Sequence, residues 1–155
     1  MRPAAERRKK LSRSERIWCS RAFLCGAALS LLWGGITWLL RLDQVFSNEA
    51  QQKLFDMSLP ARLLFLCVLS PVLEELIFRG ALFSLLSRKL PRRASAVVVS
   101  VLFALWHGNV IQILYAFPMG MVLQYFLEKG RSLKAPAACH IGANLTAVTV
   151  EALLR

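Results

Sequence analysis

The stretch Pro71-Val72-Leu73-Glu74-Glu75-Leu76-Ile77-Phe78-Arg79-Gly80 sets two carboxylates and a guanidinium inside an otherwise apolar run. Apolar segments flank it at 63–69 and 81–86. Three charges at bilayer depth are expensive, and where they occur they face a bundle interior or a wet cavity. The stretch therefore reads as a membrane helix that carries a functional site. The chain has two histidines. His107 ends a second apolar segment, and His140 lies within a third.

Composition supports the membrane reading. Of 155 residues, 56% are hydrophobic, and the mean hydropathy is +0.49. A soluble domain of that length could not cover so much apolar surface. The formal net charge is +11, but it is concentrated. Arg2, Arg7, Arg8, Lys9, Lys10, Arg13, Arg16 and Arg21 precede the first apolar stretch. A basic leader before a hydrophobic span orients it and rests on anionic lipid, which is preferred here over a nucleic-acid arm. The stretch 22–40 is longer than a signal-peptide core and no small-residue cleavage site follows, so it reads as a retained anchor. Cys19, Cys25, Cys67 and Cys139 lack paired spacing and read as free, buried thiols.

Five apolar spans are expected, at about 22–40, 62–87, 94–107, 111–127 and 135–154. Each is helical, because a helix satisfies its own backbone in lipid. The alternating short segments of a β-barrel are missing. The fold class is thus all-α: a multi-span transmembrane helical bundle with an intramembrane cavity. The third span is short for a bilayer, and Pro71 can kink the second just before the acidic pair. Linkers at 88–93 and 128–134 are basic, whereas 41–62 is balanced and Gly108-Asn109 is uncharged. This alternation predicts a cytoplasmic N-terminus. Residues 44–58, with periodic Val45, Phe46, Leu54 and Phe55, read as a helix lying in the interface. The expected organisation is a basic cytoplasmic segment, 1–21, followed by one helical membrane domain, 22–155, with its catalytic core at about 62–146.

Helical spacing assigns roles. Glu75 and Arg79 are four apart with the acid first, the favourable order for an ion pair. Glu74 points about 100° away. Its helical neighbours Ser70 and Phe78 cannot neutralise it, so it is the candidate general base. Phe103 precedes His107 by one turn and can shield or orient its ring. His140 and Asn144 share a face, and two converging donors can stabilise an oxyanion. No serine or cysteine is placed as nucleophile, which leaves a water activated by Glu74 with His107. Each element also has a plainer reading: an ion pair that joins two helices, a histidine that caps one, an asparagine that glues one to the next. Their joint occurrence on three spans favours peptide hydrolysis.

The ordered set Glu74-Glu75-Leu76-Ile77-Phe78-Arg79, Phe103 to His107 and His140 to Asn144 resembles the CAAX prenyl protease and bacteriocin-processing (CPBP or Abi) family of intramembrane endopeptidases. Gly80, Ala116-Phe117 with Gly120, and Arg131-Ser132-Leu133 with Pro136 are also similar to the family. The likeness covers about 62–146. It implies an all-helical bundle with the site in a cavity within the bilayer. Glu74 would activate water, with His107 assisting. His140 and Asn144 would form the oxyanion site, and Glu75 and Arg79 the supporting ion pair. It also implies a peptide or membrane-protein substrate, with a lipid bilayer as surroundings; no nucleic-acid partner and no cofactor are expected. The chain is short for the family. With its basic leader it looks bacterial, a multi-pass protein of the inner (cell) membrane, which points away from prenylated substrates.

Two alternatives follow. His107, His140 and a glutamate could ligate zinc and leave one position for water. Against this, the chain has no His-Glu-x-x-His helix and Asn144 is a poor zinc ligand. Alternatively, the bundle could be a non-catalytic bacteriocin-immunity protein that binds a peptide in the same cavity. The hydrolytic reading requires Glu74, His107, His140 and Asn144 to line one cavity.

Overall fold

The computed structural model describes residues 13–42 and 57–154. Among these are five helices and no strand, so the all-α expectation holds. They are α1 (Arg13–Leu39), α2 (59–86), α3 (Arg92–Trp106), α4 (Val110–Gly130) and α5 (Lys134–Leu154). Each expected span has its helix. α1 begins nine residues before the expected boundary at 22, because Arg13, Arg16 and Arg21 continue the helix. Arginine is a good helix former and can extend its charge back toward the interface. The cluster Arg2 to Lys10 and most of the expected interfacial helix (44–56) fall outside the described residues.

α1, α4 and α5 are each long and apolar enough to cross a membrane. α3 has 15 residues, or roughly 22 Å at about 1.5 Å per residue, against a hydrocarbon core of about 30 Å. α3 is therefore shorter than such a core is thick. Leu31, Trp38, Leu73, Ile77, Leu105 and Leu114 point outward and are exposed. Such a belt suits a surface that meets acyl chains rather than water.

α2 departs from α-geometry twice. Its π segments, Phe65–Leu69 and Leu76–Leu82, flank the α-helical Ser70–Glu75. The first has a covalent cause. Pro71 has no N–H to donate, and the Ser70 N–H reaches back five residues to Phe65 O. The bond order therefore slips by one residue just before the acidic pair.

α1 lies closely against α5 at two glycines. A Cβ on Gly26 would stand 1.9 Å from Cys139 O, and one on Gly142 would stand 2.4 Å from Phe23 O. Small residues let membrane helices approach backbone to backbone. α5 then runs antiparallel along α2 from Arg62 to Gly80. Arg62 pairs with Glu151, Leu66 meets Asn144, Glu75 meets His140, and Gly80 faces Leu133. α3 and α4 close the other side. Phe78, Phe83, Val99, Phe103, Met119 and Leu123 fill the interior. Trp18 packs edge-to-face on Tyr125 and Phe126, so the start of α1 stands beside the end of α4. The basic residues at the start of α1, before α3 and after α4 thus gather at one end of the bundle.

Candidate functional site

Adjacent helical residues diverge, and the two glutamates do. Glu75 points into the bundle and is 1% exposed, as is Arg79. Glu75 Oε1 accepts from Arg79 Nη1 at 3.1 Å and lies 3.1 Å from His140 Nδ1. The other arm of Arg79, Nη2, donates to Gly120 O on α4 at 3.2 Å. Its Cζ lies 4.2 Å from the centroid of the Phe103 ring on α3. A buried ion pair repays its desolvation only when further contacts satisfy it. Here those contacts come from three other helices, so the expected Glu75–Arg79 pair also ties the bundle together.

Glu74 lies toward the surface of the site, its side chain 16% exposed. Ser70 Oγ donates to its Oε1 at 2.6 Å. Oε2 is buried without a hydrogen-bond partner and lies 3.7 Å from His140 Nε2. Ser70 cannot neutralise Glu74, but it does hold one of its oxygens, a role the spacing of four residues allowed and the sequence reading passed over.

His140 is 5% exposed and stands between the carboxylates. An ionised carboxylate only accepts, so the hydrogen bond to Glu75 assigns the proton to Nδ1 and turns Nε2 toward Glu74. His107 closes α3. Its Nδ1 lies 2.9 Å from Phe103 O, a carbonyl that likewise only accepts, which leaves Nε2 as the acceptor. Phe103 is shared by the two histidines, its ring edge-to-face with His107 at 4.9 Å and with His140 at 5.6 Å between centroids. The Phe103 ring thus lies against both histidines. His107 itself makes no hydrogen bond or ion pair with either carboxylate.

His140 and Asn144, expected as two converging polar donors, each have one hydrogen-bond partner here. In the structure His140 Nδ1 is committed to Glu75, and Asn144 Nδ2 donates to Leu66 O at 2.8 Å. The physical reason is that Leu66 O lacks an intrahelical donor, as Pro71 has no N–H and Ser70 donates to Phe65. The second N–H of Asn144 remains outside this bond. Glu74, His107, His140 and Asn144 were also expected around one cavity. A cavity of about 680 Å³ does occur, but none of the four lines it. It opens at the basic end of the bundle, with Arg79 in its wall. Glu74 lies beside His140, Phe103 links His140 to His107, and Asn144 lies one turn further along α5 against Leu66 O.

The zinc alternative does not fit this donor set. Among the described residues no group of three or more His, Cys, Asp or Glu could hold a metal ion. His140 turns one nitrogen to each carboxylate, and His107 Nδ1 is committed to its own helix. Zinc needs three such donors turned toward one point.

Comparison with known proteins agrees with the motif reading. Residues 56–146 match the family described as type II CAAX prenyl endopeptidase Rce1-like. The matched region holds all seven candidate residues. The chain is also similar to the "Putative membrane peptidase YdiL" of Bacillus subtilis (strain 168), 24% identical over 106 residues. That match covers 67% of this chain and 43% of the relative, so the chain spans less than half the relative's length. No solved structure matches. With the motifs in order, the helices in place and over half the chain matched, the protein belongs to the Rce1-like family of type II CAAX prenyl endopeptidases.

Proposed function

We propose that this chain is an intramembrane endopeptidase that hydrolyses a peptide bond of a peptide or membrane-protein substrate with a water activated by Glu74. The observation that carries the proposal is the arrangement around His140. Its ring bridges Glu75 on Nδ1 and Glu74 on Nε2, and Glu74 Oε2 is a buried acceptor with no hydrogen-bond partner.

In this mechanism Ser70 fixes Oε1, so Oε2 is the oxygen that takes the proton from water. The hydroxide attacks the substrate carbonyl carbon. His107 assists through Nε2, its acceptor nitrogen, and Phe103 holds that ring in place. The oxyanion is met by the uncommitted N–H of Asn144 and by His140 when Nε2 is protonated. Glu75, itself held by Arg79, keeps His140 in register through Nδ1. Collapse of the tetrahedral intermediate breaks the C–N bond, and the proton held on Glu74 passes to the leaving amine. The membership of the chain in a prenyl-endopeptidase family and its likeness to a relative named as a membrane peptidase support the reaction class.

The placement we propose is a cell membrane of bacterial type, crossed several times, with the N-terminus in the cytoplasm. It rests on the three helices fit to cross a membrane and on the gathering of basic residues at the end where α1 starts. The test is a cleavage assay on membrane peptides in proteoliposomes. The wild-type protein should produce two fragments, and Glu74→Ala, inserted and helical, should produce none. Equal turnover by the two proteins would refute the mechanism.

A further inference from the structure

None of Glu74, His107, His140 and Asn144 lines the cavity at the basic end, and its construction has a ligand chemistry of its own. α5 begins level with Gly80, since Leu133 Cδ1 would lie 3.4 Å from a Cβ there. The last turns of α2 therefore run on past the start of α5. The space beside them, about 680 Å³, is open to the outside and bounded by the start of α3 and the α4–α5 connection.

Its polar lining favours an anion. Arg92 and Arg131 stand in the wall, and the Arg92 guanidinium is steadied 5.3 Å from the Phe83 ring centroid. Ser84 and Ser132 add hydroxyls. Ser132 Oγ accepts from Lys134 N, so its own proton remains to donate. Arg79 also contributes to the wall. It is 1% exposed, and its Nε–H is buried without a hydrogen-bond partner. Its guanidinium is engaged by Glu75 and Gly120, so it adds positive charge behind the wall rather than a direct contact. The acid in the lining, Glu128, is drawn toward Gln124, whose Nε2 lies 3.4 Å from its Oε1.

The rest of the lining favours a lipid as the source of that anion. Phe83, Leu127 and Leu133 form apolar wall beside the arginines, a pairing that suits a phosphate carried on an acyl-bearing glycerol. Basic pockets between membrane helices at the interface hold anionic headgroups. We infer that the cavity is a binding site for the phosphate headgroup of an anionic phospholipid, which it holds between Arg92 and Arg131 with Arg79 at its inner wall.

The test uses the full-length protein stripped of lipid in an uncharged detergent. It is titrated with phosphatidylglycerol, phosphatidylcholine or inorganic phosphate, and bound molecules are counted by native mass spectrometry. One phosphatidylglycerol should bind at least about tenfold more tightly than phosphatidylcholine. Arg92→Gln with Arg131→Asn should weaken it at least about tenfold, since each basic residue near the headgroup contributes severalfold. Asn tolerates the left-handed conformation of position 131 (φ 50°). Ser84→Leu, which fills the cavity without changing its charge, should also release the lipid. Arg7→Gln with Arg8→Gln in the leader should leave binding unchanged. The inference is overturned if the arginine pair or Ser84→Leu retains wild-type binding, or if the leader variant alone abolishes it. It is also overturned if inorganic phosphate binds as tightly as the lipid, which would make this a site for free anions. None of these readouts depends on proteolysis, so the result stands apart from the proposed reaction.

Discussion

Asn144 of α5 donates its side-chain N–H to the backbone carbonyl of Leu66 on α2 at 2.8 Å, an oxygen that the helix itself leaves unserved. Ser70 donates five residues back to Phe65, and position 71 is a proline. A proline and an asparagine far apart in the chain thus form one unit. Asn144→Ala should lower stability by about 0.5–2 kcal/mol, the range for an interhelical hydrogen bond whose loss strands a part-buried acceptor. In a Pro71→Ala background, where position 71 regains an N–H, the same substitution should cost less. A double-mutant cycle on thermal unfolding in detergent reads the difference. Strict additivity of the two changes contradicts the unit.

Glu74 is the proposed base, and Ser70 holds one of its oxygens. Glu74→Gln should reduce turnover at least about a hundredfold, the scale of general-base catalysis. Ser70→Ala should reduce it less, by roughly tenfold, because the carboxylate stays but loses its orientation. Helix content by circular dichroism should not change in either. The informative quantity is the order of the two effects in one peptide-cleavage assay.

Removing one partner of the Glu75–Arg79 pair leaves a buried charge uncompensated. Arg79→Met should destabilise the protein by about 3–5 kcal/mol, as both groups are almost fully buried and solvent screens little. Arg79→Met combined with Glu75→Leu should be more stable than Arg79→Met alone, though inactive, since His140 then loses its Nδ1 partner. If the double variant unfolds more readily than the single one, the pair is not acting as a compensated charge.

The Phe103 ring touches Arg79, His107, His140 and Phe78. Phe103→Leu keeps an apolar side chain but loses the flat surface. Its stability cost should be about 1–3 kcal/mol, while turnover falls more than that cost explains, because both histidines lose the face they stand on. Comparing kcat at a temperature where both proteins are fully folded separates the two effects.

Gly26 and Gly142 set how closely α1 meets α5. Gly26→Ala places a methyl within 1.9 Å of Cys139 O, an approach that only separation of the helices relieves. The expected loss is at least about 1–3 kcal/mol, together with weaker activity, since Cys139 precedes His140. Thermal unfolding of Gly26→Ala beside Gly34→Ala makes the check, because nothing lies within 4 Å of a Cβ at Gly34. Equal melting points would show that the crossing is not tight.

Much of this site was legible along the chain. Glu75 with Arg79 and Phe103 with His107 are separated by one helical turn, and a helix places such pairs together whatever surrounds it. The divergence of Glu74 from Glu75 follows from the same geometry, as does the short reach of α3. The helical class followed from apolar length, because lipid leaves a spanning backbone no other way to satisfy itself.

What the sequence could not determine is how far each helix slides along its neighbours. Glu74, His107 and His140 appear at different depths when the spans are counted separately. Glu74 meets His140, and His107 shares the Phe103 ring with it, because the Gly26–Gly142 crossing, the short α3 and the antiparallel run of α5 along α2 set the axial offsets. Those offsets turn Nδ1 of His140 to Glu75 and Nε2 to Glu74, send the Asn144 amide to a carbonyl freed by Pro71, and open the basic cavity beside the end of α2. Helical periodicity is a local property of the backbone, whereas register between helices comes from the packing of residues distant in sequence, and only the folded chain brings those together.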